Sequence, residues 1–296
     1  MDLMTLSAGA GERHWHGPRS GRPLRSSGKR QMQKIGAFLG GERLRPDLVL
    51  TDGSFRAQIS AEKALKAAGW TARGISTSED LAAGRLPARD ALKRPLLVAL
   101  PGTVRQLLGD PAFGLSQGRV EELGPGCLLR LAGQDGRFRL IARTDAGDLP
   151  DLFPYPAPDG AGRRDRPAYY YRQSAVIPVR HTPEGTQILI VGSASGRHWT
   201  VPKGIVDPGL SPAASARIEA REEAGIKGRV GKHPLGHFSY EKWGAICQVT
   251  VFIMEVTKVL EGADWEESHR QRRWVSAPQA ADLLRLEALR EMVAGL

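Results

Sequence analysis

The sequence predicts an α/β protein with two domains. The chain has 296 residues, enough for two domains of ordinary size, which commonly hold about 100–150 residues each. In residues 1–150, short apolar runs alternate with amphipathic segments, which predicts a mainly parallel sheet with helices on both faces. In residues 167–296, several strands surround one well-delimited helix, which predicts a mixed sheet. Residues 151–166 are rich in proline and glycine and are predicted to be a linker.

The first half contains predicted strands and helices in alternation. Strands are expected at short apolar runs, and helices where apolar residues recur every three or four positions. The predicted strands are Leu3–Leu6, Leu48–Leu50 and Pro95–Leu100. The predicted helices are centred on Gly28–Leu39, Phe55–Ala68 and Thr103–Leu108.

The second half has a different pattern. Two predicted strands, Ala175–Val179 and Gln187–Val191, are joined by a turn at residues 183–185. A long strand is predicted at Ile246–Val256, and a closing helix runs from about Pro278 to Val293.

Composition restricts the class of protein and its partners. The hydrophobic fraction is 41% and the charged fraction 25%, which is typical of soluble globular proteins. No apolar run approaches the ~18 residues of a membrane span. The start of the chain lacks a signal-peptide pattern, and Cys127 and Cys247 fit no disulfide or metal-ligand spacing. A cytoplasmic location without a membrane partner is therefore expected.

The formal net charge of +10 favours anionic partners, although a basic surface without a dedicated partner remains an alternative. Nucleic acid is disfavoured because the basic residues are dispersed, and no clustered basic helix or aromatic RNA-binding strand is found. A polyphosphorylated small molecule is the expected partner.

One segment, Pro202–Ile226, has the pattern of a loop followed by a helix with a clear C-terminal end. Ser211 is a good N-cap, Pro212 suits the first helical position, and Gly225 suits the left-handed residue that ends a helix. Between these ends, Glu219, Glu222 and Glu223 have a spacing that places them on one helix face.

Three clustered carboxylates suit a hard cation such as Mg²⁺ or Mn²⁺, which proteins often hold together with substrate phosphates. A solvated acidic helix face is the more common explanation of such a triplet alone. The metal site is favoured here because the triplet is part of a longer motif. This motif contains the loop Pro202-Lys203-Gly204, the two helix caps and the residues Gly225-Ile226 that follow the helix.

The segment resembles the box of the Nudix hydrolase family, whose fold is an α/β/α sandwich with a mixed sheet. The resemblance rests on Gly204, Glu219, Glu222, Glu223, Gly225 and Ile226. It implies that the three glutamates and the Gly204 carbonyl hold Mg²⁺ or Mn²⁺, and that the glutamates are catalytic. Leu210 and Ile218 stand where the family has Glu and Arg. Because those two residues form a supporting ion pair in the family, we interpret the change as an apolar replacement.

Two flanking stretches, 191–204 and 265–274, resemble the diphosphoinositol polyphosphate phosphohydrolase branch of that family. This branch acts on inositol pyrophosphates and dinucleoside polyphosphates such as diadenosine polyphosphate. Glu266 or Glu267 is a candidate for a further metal ligand or base. By resemblance, the residues that bind substrate are Ser193, Ser195, Arg197, Lys203, Arg270, Arg272 and Arg273.

The first half contains the stretches Gly21–Leu24, Gly28–Arg30, Pro46–Leu50, Phe55–Ala57 and Pro95–Gly102. In these stretches, residues 1–150 resemble the histidine phosphatase family, with the catalytic pair replaced. Ser7-Ala8 occupies the place of the Arg-His pair after the first strand, Leu100 stands near the second histidine, and Arg56 is kept. Arg13-His14 lies too far beyond the strand to substitute. The resemblance implies an inactive module that serves in homodimer formation, interdomain support or ligand binding.

The expected function is therefore metal-dependent cleavage of a phosphoanhydride by a Nudix pyrophosphohydrolase. A non-catalytic, nucleotide-sensing regulator is the alternative, because Leu210 and Ile218 alter the box. A nucleic-acid-binding or RNA-end-processing protein is a further alternative that only the basic charge suggests.

Overall fold

The computed structural model describes residues 2–87, 94–155, 162–193 and 195–296. The chain forms two compact units, Met1–Pro167 and Ala168–Leu296. In these described ranges, no helix has the length and apolar character that a membrane crossing requires.

The first unit is built on a six-stranded sheet with the order β3-β2-β4-β1-β5-β6. The first four strands in this order are parallel, and β5 and β6 are antiparallel. The strands are β1 (Asp2–Ser7), β2 (Leu48–Thr51), β3 (Ile75–Thr77), β4 (Pro95–Ala99), β5 (Cys127–Gln134) and β6 (Arg137–Asp145).

Helices cover both faces of this sheet, as the alternating pattern predicted. Met4 and Leu6 of β1 pack on one face, whereas Leu3 packs on the other, because successive side chains of a strand point to opposite faces. The first two helices cover the face of Met4, and the next two cover the face of Leu3. The helices are α1 (Ser26–Gly41), α2 (Phe55–Ala67), α3 (Glu79–Ala82), α4 (Pro101–Leu108) and α5 (Gln117–Glu121).

The antiparallel hairpin of β5 and β6 was missing from the sequence prediction. Its turn contains Asp135 with φ of 51° and Gly136 with φ of 75°. An Asp-Gly pair with two positive φ angles is a strong hairpin signal. The signal was therefore present in the sequence and was overlooked.

Part of the predicted linker is folded against α1. A short ribbon pairs β7 (Phe153–Pro154) with β8 (Arg163–Arg164), while residues 156–161 lie outside the described residues. The Arg30 guanidinium donates to the carbonyls of Asp151 and Asp165 and lies 4.6 Å from the Phe153 ring centroid.

The second unit is built on a mixed eight-stranded sheet. Its central pair, β9 and β15, is parallel, and the other pairs are antiparallel. The strands are β9 (Arg172–Thr182), β10 (Gly185–Gly192), β11 (Trp199–Thr200), β12 (Lys203–Ile205), β13 (Ile226–Val230), β14 (Gly236–Lys242), β15 (Ala245–Val259) and β16 (Arg272–Ser276).

Two buried clusters lie on opposite faces of this second sheet. One contains Ile177 of β9 with residues of the C-terminal helices, and the other contains Val176 with alanines of α6. This layering confirms the predicted α/β/α arrangement. The helices are α6 (Pro212–Ala224), α7 (Ala277–Leu283) and α8 (Glu287–Ala294).

The single closing helix predicted for 278–293 is wrong, because the chain breaks between α7 and α8. Leu284 is extended with ψ of 134°, is 2% exposed and forms a parallel bridge with Trp199. No glycine or proline marks the break, so a tertiary contact overrides the local helical preference.

We predict that Gly36→Ala destabilises the first unit. A Cβ at Gly36 would stand 2.0 Å from the Ala64 carbonyl oxygen, so α1 and α2 must separate. The free energy of unfolding, measured by urea denaturation, should fall by about 2–3 kcal/mol. Gly41→Ala is the control, because no atom lies within 4 Å of its added Cβ. It should leave stability unchanged or raise it by up to ~1 kcal/mol, and equal losses in both variants would contradict the close helix contact.

Candidate functional site

Helix α6 presents the three predicted glutamates, and its ends are fixed by the expected caps. The Ser211 hydroxyl accepts a hydrogen bond from Ala214 N at 3.2 Å, and Pro212 lies in the first turn. Gly225 ends the helix with φ of 60°, a conformation that costs glycine little. The face towards the core is formed by Ala216, Ala220 and Ala224.

Glu219 lies against the backbone of Gly204 in β12. A Cβ at residue 204 would stand 2.1 Å from both Glu219 Cδ and Oε1, so only glycine admits the carboxylate here. The Ser215 hydroxyl donates to the Ile205 carbonyl at 2.9 Å and ties the helix to the same strand. Burial raises the pKa of Glu219 to about 8, with further increases from Glu223, Glu222 and two more carboxylates.

Glu223 is held by two donors. Its Oε2 accepts from Lys203 N at 2.9 Å, and its Oε1 accepts from Arg270 Nη2 at 2.8 Å. The side chains of Arg270 and Glu223 are only 9% and 13% exposed. Burial raises the pKa of Glu223, although the Lys203 N–H and the Arg270 charge both lower it.

Glu222 is half-buried and adjoins a second acidic segment. Burial raises its pKa, followed by the charges of Glu266 and Glu267. The Glu222 carbonyl accepts from Glu267 N at 3.2 Å, which fixes this segment beside the helix. Asp207 raises the pKa of both Glu219 and Glu222. The sequence analysis did not select Asp207, although it follows Gly204 closely in the same loop.

Two of the arginines predicted to bind substrate form contacts within the second unit. Arg270 pairs through Nη2 with Glu223 and through Nε with Glu267. Arg272 donates from Nη1 to the Ala224 carbonyl at 2.9 Å and pairs with Glu261. Arg270 therefore braces the acidic cluster, and Arg272 satisfies the carboxyl end of α6.

A cavity of about 500 Å³ adjoins the acidic cluster. Lys203 connects the cavity to the acidic cluster, because it lines the cavity while its backbone N–H donates to Glu223. Ser193 and Ser195 also line it, whereas Arg197 and Arg273 are exposed and do not. The residues that the sequence analysis did not select are His198, Trp199, Thr200, Tyr240, Lys242, Arg285, Leu286 and Leu289.

The cavity combines cations with aromatic surface. Lys203 Nζ lies 5.5 Å from the Tyr240 ring centroid, and burial lowers the Lys203 pKa. Burial also raises the pKa of Tyr240 to about 12, and its hydroxyl donates to Gln173 Oε1 at 2.8 Å. Tyr240 is therefore a neutral, fixed wall of the cavity at physiological pH.

The two residues that depart from the box lie near the surface. Ile218 is 38% exposed and lines a cleft with Arg217, Arg221 and Lys227 that does not include Leu210. Leu210 is partly exposed. Neither belongs to the buried clusters of the second unit, so the fold offers no support for a packed apolar replacement.

In the first unit, Ser7 is the last residue of β1 and Ala8 follows it, and neither has exposed surface. Leu100 follows β4, and its N–H donates to Asp52 Oδ2 at 2.8 Å. Arg13 and His14 are exposed in the following loop. Ser7, Ala8 and Leu100 thus place no histidine at the end of β1 or after β4, and the inactivity of this unit stays a prediction.

Comparison with known proteins gives a match to the NUDIX domain over residues 171–295. Diphosphoinositol polyphosphate phosphohydrolase 2 of Rattus norvegicus is 33% identical over 118 residues, covering 39% of this chain and 63% of the relative. The 3-beta enzyme of Bos taurus is 31% identical over 121 residues, covering 40% of this chain and 71% of the relative. The chain thus spans less than two thirds of the rat relative's length.

Solved structures of two kinds are similar to parts of the chain. The Ap4A hydrolase of C. elegans is 21% identical, with a TM-score of 0.36, and the match covers 42% of this chain and 93% of that protein. The protein histidine phosphatase SixA is 13% identical, with a TM-score of 0.43, and the match covers 50% of this chain and 99% of that protein.

We predict that Arg270 and Glu223 are strongly coupled. Arg270→Gln should lower the free energy of unfolding by about 3 kcal/mol, because it leaves a buried carboxylate without its cation. Adding Glu223→Gln should restore part of that loss, which a double-mutant cycle measures.

The matched control is the exposed pair of Arg229 and Glu255, whose side chains are 81% and 52% exposed. Arg229→Gln should cost roughly 0.5 kcal/mol or less. A similar cost for the two arginines, or strict additivity at Arg270 and Glu223, would show that Arg270 does not brace the cluster.

Proposed function

The chain belongs to the Nudix family, and on that premise we propose that its second unit is a metal-dependent hydrolase that cleaves a phosphoanhydride bond in a polyphosphorylated substrate. The observation that carries the proposal is the acidic cluster of α6 beside a cavity lined by Lys203, Lys242 and Arg285. Carboxylates suit a divalent cation, and the cations suit phosphate oxygens.

The residues present fit Mg²⁺ or Mn²⁺ by their chemistry. Burial and, after it, the charges of several neighbouring carboxylates raise the pKa of Glu219, and a divalent cation offsets both effects. Among the described residues, no three acidic, histidine or cysteine side chains are grouped as a ready metal site. The residues that would hold the ion are Glu219, Glu222, Glu223 and the Gly204 carbonyl, and Glu223 keeps lone pairs beside its two hydrogen bonds.

A bound divalent cation would lower the pKa of a water molecule and offset charge on the phosphate oxygens. In the protein, Lys203 and the other cavity cations orient the polyphosphate next to the carboxylates. Glu222 is less buried than Glu219 and Glu223. We therefore assign Glu222 to accept a proton from the attacking water. Glu223 is held between Lys203 N and Arg270 and supports that geometry.

The substrate class follows from the mixed lining of the cavity. Trp199 and Tyr240 offer aromatic surface, while the two serines and three cations suit phosphate groups. Dinucleoside polyphosphates and inositol pyrophosphates are the two groups to compare, and an aromatic wall favours the former.

The test is hydrolysis by the full chain with Mg²⁺, Mn²⁺ or EDTA, in water enriched in ¹⁸O. Diadenosine polyphosphate and an inositol pyrophosphate are the substrates. We expect metal-dependent turnover with the label in a phosphate product. Tight nucleotide binding without turnover would support the alternative function, a non-catalytic sensor, which the exposed Ile218 and the Arg270-paired Glu223 favour.

We predict that Glu222→Gln lowers kcat by ~10²-fold or more, because an amide cannot carry the charge that the cation requires or accept the proton. Glu223→Gln should have a comparable effect. Glu255→Gln, which changes an exposed carboxylate of β15, is the control and should retain full activity. Near wild-type rates of both box variants at saturating metal would contradict the assignment.

We also predict that the first unit contributes no phosphatase activity. Ser7, Ala8 and Leu100 provide no histidine to accept a phosphoryl group. The full chain with EDTA should leave p-nitrophenyl phosphate unchanged and form no phosphohistidine with a phosphodonor. A label on His14 would show that the loop carries a displaced nucleophile.

A further inference from the structure

A second cleft of the second unit, about 280 Å³ in volume, lies between α6 and β13. Because Gly225 ends α6 with φ of 60° and β13 begins at the next residue, the strand returns beside the last turns of the helix. We call this feature the α6–β13 cleft, and its lining residues are Arg217, Ile218, Arg221, Ile226, Lys227 and Gly228. It shares no described residue with the lining of the cavity beside the acidic cluster, so it is a separate site.

The apolar part of this cleft is formed by two isoleucines. Ile226 has no exposed surface and belongs to the buried cluster under α6. Ile218 is 38% exposed, so part of its apolar surface stays in water, where an apolar partner would gain free energy by covering it. Small-molecule pockets commonly measure about 300–1,000 Å³. The cleft is slightly smaller, and its size suits one apolar side chain of a partner.

Three cations surround this apolar surface. Arg217 and Arg221 are one turn apart on α6, Lys227 comes from β13, and all three are exposed. Like charges at this helical spacing repel each other. The Arg221 charge lowers the pKa of Glu222, but among the residues that the structure describes none of the three cations forms an ion pair with a carboxylate. The cleft therefore offers positive charge beside apolar surface.

We propose that the α6–β13 cleft binds an acidic peptide segment of a partner protein, which inserts one apolar side chain between Ile218 and Ile226. Carboxylates on both sides of that side chain pair with the three cations, so that charge complementarity sets the register of the peptide. A second copy of this chain is disfavoured as the occupant, because it carries a net charge of +10 and repels the same cations. The proposal concerns binding alone and does not depend on hydrolysis by the second unit.

The test is binding of a fluorescein-labelled peptide, Glu-Glu-Leu-Glu-Glu, to the full chain, measured by fluorescence anisotropy. EDTA is present, so that no metal ion bridges the peptide to the acidic cluster. Two control peptides replace the leucine by glycine or the four glutamates by glutamines. We expect saturable binding of the first peptide and about tenfold weaker binding of each control peptide.

Ile218→Arg is the decisive variant, because it adds a cation while it removes an apolar wall of the cleft. Attraction by charge alone would make the peptide bind more tightly, whereas the proposal predicts binding about fivefold weaker. Arg217→Gln and Arg221→Gln should each weaken binding about two- to fivefold. The matched control is Arg229→Gln, which removes an exposed cation of β13 that pairs with Glu255. This control should bind the peptide like the parent.

Thermal midpoints report the folding of each variant, and if Ile218→Arg unfolds, the glycine peptide and Arg217→Gln decide. Tighter binding to Ile218→Arg, equal affinity for the leucine and glycine peptides, or no saturable binding would overturn the proposal. Size-exclusion chromatography of the parent and Ile218→Arg tests the other occupant. An oligomer that only the parent forms would assign the cleft to a second copy of the chain and would likewise overturn the proposal.

Discussion

The contact between Glu219 and Gly204 determines how the second unit arranges its charges. A Cβ at residue 204 would overlap the Glu219 carboxylate, so the strand and the helix approach each other through a glycine. This approach buries Glu219 among other carboxylates and raises its pKa to about 8. Burial of the ionised carboxylate and, after it, repulsion by its neighbours both cost free energy of folding. Basic residues around the site reduce that cost, and the negative potential of the cluster can attract a divalent cation.

Five basic residues at the site divide into two groups by their contacts. Arg270 reduces the repulsion by pairing with Glu223 and Glu267, and Arg272 binds the last carbonyls of α6. These two contribute to the frame of the site. Lys203, Lys242 and Arg285 line the cavity, where their charges can attract a polyphosphate. Some of the basic residues that give the chain its positive net charge thus hold the site together, and others face the cavity. A count of charged residues in the sequence cannot distinguish these two roles.

Much of the site could be predicted from the sequence because it is local. Ser211, Pro212 and Gly225 set the limits of α6, and the helical period then places Glu219, Glu222 and Glu223 together. The cavity could not be predicted in the same way, because Tyr240 comes from β14 and Arg285 from the break between α7 and α8. That break depends on the contact of Leu284 with Trp199, a long-range interaction without a local signal. The bracing role of Arg270 was missed for the same reason, since only the fold shows which carboxylate it meets.

The central claim is that the carboxylates of α6, brought against Gly204, bind a divalent cation. The most direct measurement is Mn²⁺ affinity by electron paramagnetic resonance for the parent, Gly204→Ala and Gly231→Ala. Gly231 is the control because an added Cβ there would meet its nearest atom at 3.5 Å. The account predicts a saturable site in the parent and in Gly231→Ala, weakened ~10-fold or more in Gly204→Ala, because displaced oxygen ligands commonly cost that much affinity. Equal Mn²⁺ affinity in all three folded proteins would contradict it.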